Sequence, residues 1–318
     1  MKAVVVKHPG GPEVLEYIDV ASPEVKPGWS LVQVKGFGIN HSEIFTRQGY
    51  SPNVKFPRIL GIEAVGVIAE TTDSDNLPKG QQVMSFMGEM GRDFDGGYAE
   101  YVLLPNDQIF PINSNLSWED LATIPETYYT AYGALLGLQL KDGDSLLVRG
   151  GTSGVGVAAT KLAKAINSTV QVSGTTRNLA KSDLLKKVGY DEVIQDVDDD
   201  LKTSLQYDKI LDLIGPKTIK DSLGKLAMNG IASCTGELGG EWTVDDFEPI
   251  GDIPNNRYLT SFASADVSVP RLHDLLHLIE DKHVDVKPTK VFTLEDVKKA
   301  HEYLEGNHSF GKVVIVVK

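Results

Sequence analysis

The chain has 318 residues, enough for two domains with separate cores, and its 41% apolar and 24% charged content is ordinary for a globular protein. A formal net charge of −13 repels polyanions at long range, so neither nucleic acid nor an anionic membrane is an expected partner. The single cysteine, Cys234, excludes an intrachain disulfide and a cysteine-built zinc site.

At the N-terminus the apolar run 1–6 is ended by His8-Pro-Gly-Gly-Pro12, too early for a signal peptide or a membrane span, so a cytoplasmic setting is expected. Short runs of strand formers follow at 3–6, 30–34, 64–69, 82–86 and 99–104, separated by Gly and Pro. Their spacing predicts a β-rich, partly closed barrel over residues 1–120. At Ser117-Trp-Glu-Asp120 the period changes to helical, with Ser117 as cap, and 130–136 continue it.

Asp144-Ser-Leu-Leu-Val-Arg-Gly-Gly-Thr-Ser-Gly-Val-Gly156 then reads as a buried strand running into a glycine turn. Val155, Ala158, Ala159, Leu162 and Ile166 recur at helical spacing, and 170–176 form a second strand. A strand, a turn through Gly150, Gly151, Gly154 and Gly156, and a helix let a diphosphate approach bare amides at a helix N-terminus. About 20 residues on, where an acidic side chain would bind the ribose of NAD, stand Thr175, Thr176, Arg177 and Asn178, with Lys181 a turn later. These suit a ribose 2′-phosphate; the plainer alternative is that Arg177 and Lys181 are solvated surface charges. NADPH is the expected cofactor.

Further helices near 181–188 and 219–227 alternate with strands at 192–194, 209–213 and 230–234, which implies a parallel sheet covered on both faces. Cys234 ends the last of these and is expected to be a small buried hydrophobe rather than a reactive thiol. Residues 236–256 suggest an irregular loop. Helices at 269–280 and 294–304 precede a terminal strand at 312–317, which would most economically pair back into the first unit. The expected organisation is 121–262 inserted in a discontinuous domain of 1–120 plus 263–318, with substrate meeting cofactor between the two.

Seven ordered blocks carry a family resemblance: Gly10-Gly-Pro-Glu-Val-Leu15, Gly38-Ile-Asn40, Gly61-Ile-Glu63 with Gly66, Gly96-Gly-Tyr-Ala-Glu100, Thr130-Ala131, Gly150 to Gly156, and Gly311-Lys-Val-Val314. In these the chain resembles the medium-chain dehydrogenase/reductase superfamily, within it the zinc-free quinone oxidoreductase branch related to zeta-crystallin. The resemblance implies an α/β fold, a Rossmann doubly wound parallel sheet inserted in a β-rich GroES-like partly closed barrel. It also implies a homodimer acting on a small electrophilic molecule.

The departures from the zinc enzymes of that superfamily matter as much. Those enzymes carry Cys-His-Ser-Asp where this chain has Asn40-His-Ser-Glu43, Gly-His-Glu where it has Gly61-Ile-Glu63, and a third ligand cysteine at the place of Glu126. Asn40 and Ile62 are not zinc donors, so no metal is expected. His41, His301 and His308 lack metal spacing.

The resemblance implies hydride transfer from NADPH to the conjugated carbon of a quinone or α,β-unsaturated carbonyl. An enoyl-thioester reductase, or an NADPH-binding protein with a structural or sensing role, are the alternatives. By the same match Asn40 orients the nicotinamide or a water, and Tyr50 either donates to a developing enolate or packs as an aromatic wall. Thr130 stands beside the cofactor. Gly151, Thr152, Ser153, Gly154, Val155, Gly156 and Gly236 join Thr175, Thr176, Arg177 and Lys181 as expected cofactor contacts. Ser153, where branch members often have Gly, either donates to a phosphate oxygen or widens the turn.

Overall fold

The computed structural model describes residues 1–265, 267–306 and 309–318; His308 lies outside the described residues. Two compact units divide the chain, one of Met1–Glu126, Ala265–His273 and Val286–Lys318, the other of Thr127–Ser264 and Asp274–Asp285.

In the first unit a curled sheet runs, edge to edge, Lys290–Thr293, Val313–Val316, Trp29–Ile39, Glu63–Glu70, Gln82–Phe86 and Phe110–Pro111, with Tyr101–Pro105 also on Trp29–Ile39. Lys2–Val6 heads a smaller sheet with Leu15–Asp19 and Arg58–Ile59. The inward residues Val32, Val34, Phe37, Ala64, Ile68, Val102 and Leu104 belong to one core, as alternation along half-buried strands dictates. Val313 pairs with Ile39 and Val314 with Gly38, antiparallel, so the last strand does return to the first segment of the chain.

The second unit is built on a seven-stranded sheet ordered Asp200–Leu201, Glu192–Val197, Gln171–Thr176, Ser145–Arg149, Tyr207–Asp212, Leu226–Cys234, Tyr258–Ser261. All neighbours pair in parallel except the edge strand Asp200–Leu201. Strand order reverses at Ser145–Arg149, and ligands of such sheets bind beyond the carboxyl ends at that point.

Helix Gly154–Ile166 packs on this sheet through Val157, Ala158, Ala159, Leu162 and Ala163, all buried. The expected face is shifted. Ile166 is exposed, because the helix stops there and Asn167 turns extended. Helix Ile219–Gly224 is also shorter than its apolar pattern: Leu226 and Ala227 already belong to the strand that pairs with Tyr207–Asp212. Residues 294–304 start as a 3₁₀ turn, Leu294–Asp296, before the α-helix Val297–Glu305.

Candidate functional site

In the second unit the glycine turn leaves the strand Ser145–Arg149 with Gly150 at φ +87°, a left-handed conformation open to glycine. Gly156 lets the helix seat on the turn: a Cβ there would lie 2.6 Å from the Gly150 carbonyl oxygen. The Ser153 hydroxyl donates to the Gly150 carbonyl at 2.8 Å and accepts from the Gly156 amide at 3.0 Å. It is therefore the helix N-cap, and its one proton is engaged inside the turn. Gly156 contributes no free amide to an anion for the same reason. Gly154 and Val155, the first two helical residues, have amides that no intrahelical carbonyl can reach, and these are the groups the turn offers a diphosphate.

Thr175 and Thr176 are buried at the end of the neighbouring strand and work on the backbone. Thr175 Oγ1 accepts from the Gly150 amide at 3.0 Å, while Thr176 Oγ1 donates to the Asn178 carbonyl and accepts from the Asn178 amide, both at 3.1 Å. They shape the turn that presents Arg177, which is exposed. The Lys181 ammonium is held below its ordinary pKa by burial and then by the charge of Arg177. Lys217 feels Arg177 as well, and is raised on balance by its hydrogen bond to Asp199. A lysine lowered in part by a neighbouring arginine marks a cationic field suited to a dianionic phosphate.

Gly151 packs against the Thr175 backbone, where a Cβ would stand 3.0 Å from the amide nitrogen. Thr152 is half-buried within the same turn. Gly236, following the strand Leu226–Cys234, abuts the backbone of Leu213: a Cβ would lie 2.7 Å from Leu213 Cα. Leu213, Ile214 and Leu238 in turn face Gly150, so three loop starts converge at the carboxyl end of the sheet. Thr130 is buried in the helix Tyr129–Leu138 of this unit. Cys234 is half-buried, and burial pushes its thiol up to about 11, which leaves it unreactive near neutrality.

Asn40 and Tyr50 belong to the first unit. Asn40 caps the helix His41–Gln48, whose Glu43 reaches back to accept from the Asn40 amide at 3.1 Å. The Asn40 side chain is held from three directions. Its oxygen accepts from Lys312 Nζ at 2.6 Å, and its nitrogen donates to Glu63 Oε1 at 3.0 Å and to Glu43 Oε1 at 3.4 Å. Lys312 Nζ also lies 2.7 Å from Glu63 Oε1, both side chains almost fully buried. Burial, then the charge of Glu63, pushes the Glu43 carboxyl up to about 7. The Tyr50 ring is 62% exposed and meets Phe45 edge-on at 6.3 Å, so Asn40 and Tyr50 have very different surroundings.

Several residues of these arrangements carry no local signal. Tyr190 donates to the carbonyls of Gly151 and Gly156 at 3.1 and 2.8 Å, clamping the turn from 34 positions away in sequence. Arg149, fully buried, bonds both oxygens of Asp196 and one of Asp221 beneath the turn. An arginine closing an otherwise apolar strand was the one available hint. His301, also buried, faces Tyr98 Oη at 3.0 Å and Arg47 at 3.4 Å; burial and then Arg47 push it down to about 3. His41 is lowered by burial. Among the described residues no three His, Cys, Asp or Glu side chains gather as a metal site, and no helix is long and apolar enough to cross a membrane. A cavity of about 330 Å³ in the first unit, walled by Trp29, Phe94, Ile59 and Val102, contains none of the nominated residues.

Against known proteins, residues 26–114 match the model of the alcohol dehydrogenase GroES-like domain and residues 188–315 that of a zinc-binding dehydrogenase family. The chain is 33% identical over 232 residues to a quinone oxidoreductase of Pongo abelii, covering 71% of this chain and 67% of that protein. Its fold matches the quinone oxidoreductase from Coxiella burnetii at a TM-score of 0.85, with 28% identity and coverage of 100% and 99%. A structure described as an NAD-dependent alcohol dehydrogenase matches at 0.83, with 28% identity and full coverage of both chains.

The zinc in one of these descriptions does not fit the residues present. At the three ligand positions stand Asn40, with its amide engaged on both sides, Ile62, which is apolar and buried, and Glu126, whose backbone amide donates to Glu63 Oε2 at 2.7 Å. The Lys312 ammonium already supplies a fixed positive charge there, and a second cation would be repelled.

Proposed function

The chain belongs to the medium-chain dehydrogenase/reductase superfamily, in its quinone oxidoreductase-like group, and on that premise we propose that it reduces quinones or α,β-unsaturated carbonyls with NADPH, without zinc. The observation that carries this reading is that one chain holds both a dinucleotide turn and a disabled metal site: Gly150 to Gly156 suits a diphosphate, while Asn40 and Ile62 stand where zinc ligands would be. Without a Lewis acid an alcohol is not polarised to an alkoxide, whereas an acceptor that is already electrophilic needs none.

When bound, the nicotinamide supplies the hydride. The chain's own residues do the rest. The Gly154 and Val155 amides and the helix N-terminus hold the diphosphate, shaped by Ser153, Gly151, Gly156 and Thr152. Arg177 and Lys181, presented by Thr175 and Thr176, hold the 2′-phosphate and set the preference for NADPH. Thr130 and Gly236 would help hold the cofactor, and Asn40 would orient the nicotinamide or a water. Tyr50 donates to the oxygen on which charge develops, and the final proton comes from solvent. The homodimer and the cytoplasmic setting form part of this proposal, on the resemblance.

The test is loss of NADPH absorbance with 1,2-naphthoquinone, a 2-alkenal and a 2-enoyl thioester in parallel. Turnover on the first or second supports the reading. Turnover on the thioester alone makes the protein an acyl-chain reductase, and NADPH binding with no turnover makes it a binding protein.

A further inference from the structure

The glycine turn, the cation pair and Tyr50 all serve the reading above, but the polar cluster around Asn40 asks for its own explanation. A buried ion pair is weak as a stabilising device, since two apolar side chains would fill the same space without desolvating charges. Here Lys312 and Glu63 are only 5% and 0% exposed and 2.7 Å apart, with a second carboxyl, Glu43, alongside. The backbone has been cleared for them: a Cβ on Gly38 would run into both Glu63 Oε1 and Lys312 Nζ. Glu63 is anchored from its other oxygen by the Glu126 amide at 2.7 Å. Three separated segments, 38–40, 61–63 and 311–312, are brought to one point by the pairing of Val313 with Ile39 and the start of the strand Glu63–Glu70.

The chemistry of the partners fixes the Asn40 amide in one orientation. An ammonium only donates and the carboxylate paired with it only accepts, so the oxygen must face Lys312 and the nitrogen must face Glu63, with Glu43 Oε1 as the second acceptor. Both amide hydrogens are then taken, and one lone pair on the oxygen is left.

We propose that Lys312, held by Glu63, is a positioning residue that fixes the Asn40 amide and makes Asn40 a hydrogen-bond acceptor, and only an acceptor, toward the cofactor amide or a bound water. The inference rests on the reading of Asn40 as part of the hydride-transfer site. A ligand that can only accept gains nothing from Asn40, while one with an N–H or O–H does.

Two measurements separate the inference from that reading. In protein labelled with 15N-asparagine and free of cofactor, the Asn40 side-chain NH₂ pair exchanges much more slowly than that of exposed Asn178, and Lys312→Met shifts it and speeds its exchange. In turnover, Lys312→Met lowers kcat by roughly tenfold, the equivalent of one lost hydrogen bond, while KM and NADPH affinity stay within about threefold. Lys312→Arg, which keeps a cationic donor, recovers most of kcat. Unchanged Asn40 signals in Lys312→Met, or unchanged kcat, overturn the proposal. A wild-type protein that turns over no acceptor overturns the oxidoreductase reading instead, and the NMR comparison still decides the role of Lys312. If Lys312→Met does not fold, wild-type Asn40 hydrogens that exchange as fast as those of Asn178 overturn the proposal on their own.

Discussion

The Tyr190 hydroxyl donates to the Gly156 carbonyl at 2.8 Å from a ring packed so closely on Gly174 that a Cβ there would touch it at 2.5 Å. The same hydroxyl reaches the Gly151 carbonyl, so one side chain ties the start of the glycine turn to the first turn of its helix. Burial also raises the Tyr190 pKa, keeping it a donor at any working pH. Tyr190→Phe should remove the tie and leave the ring packing. The expected loss is about 1–2 kcal/mol of stability, read by urea unfolding, together with weaker NADPH binding. Loss of stability with unchanged affinity would mean that the turn keeps its shape without Tyr190.

A second prediction concerns the cation pair. Lys181 is lowered by burial and then by Arg177, and a dianion bound by both would offset their repulsion and make both charges worth more to NADPH than to NADH. Arg177→Ala should raise the NADPH dissociation constant about tenfold, and the double variant with Lys181→Ala further, with NADH affinity nearly unchanged. Fluorescence titration with both nucleotides is the measurement. Equal losses for the two would show that the pair acts on something other than the 2′-phosphate.

The pH dependence of stability carries two opposite signatures. Glu43, pushed from 4.5 up to about 7, keeps its proton in the folded state where the unfolded chain releases it. Its contribution is therefore full below 4.5 and is lost as pH rises through about 7. His301, pushed from 6.5 down to about 3, refuses a proton that the unfolded chain binds. Its contribution is full above 6.5 and is lost as pH falls toward 3. Glu43→Gln should remove a fall in stability spread over roughly pH 4.5 to 7, a change worth up to about 3 kcal/mol, and leave the His301 contribution over roughly pH 3 to 6.5 in place. A fall over pH 4.5 to 7 that survives in Glu43→Gln would assign it to another group.

Which features could be read from the sequence follows from the range over which they are determined. The strand, turn and helix around Gly150 to Gly156 are set by neighbours three or four residues apart, and so is the cap at Ser117. Asp120 donates its amide to Ser117 Oγ at 3.1 Å, as the local pattern requires. The strand Tyr258–Ser261 was not legible, because it is largely exposed and has no apolar alternation to betray it. Nor was the cluster of Asn40, Glu63 and Lys312. Its parts were visible as three separate blocks, but only the register of antiparallel strands brings residue 312 to residue 40. Tyr190 and Arg149 act across the sheet in the same way, where no spacing rule reaches.

The sequence leaves open whether Ser153 donates to a phosphate oxygen or widens the turn, and the fold gives its hydroxyl a third role. A serine that donates to a phosphate would lose nucleotide affinity when its hydroxyl is removed. A serine that caps the helix would lose stability instead. In the fold the hydroxyl gives its proton to Gly150 and receives one from Gly156, which is the capping role. Ser153→Ala should cost about 1 kcal/mol of stability, whereas Ser153→Gly, a tolerable cap, should cost only a few tenths. NADPH affinity should stay within about threefold in the glycine variant, because the Gly154 and Val155 amides proposed to meet the diphosphate are unchanged. A tenfold loss of affinity in Ser153→Gly with stability intact would return the hydroxyl to the phosphate and require the turn to open when the nucleotide binds.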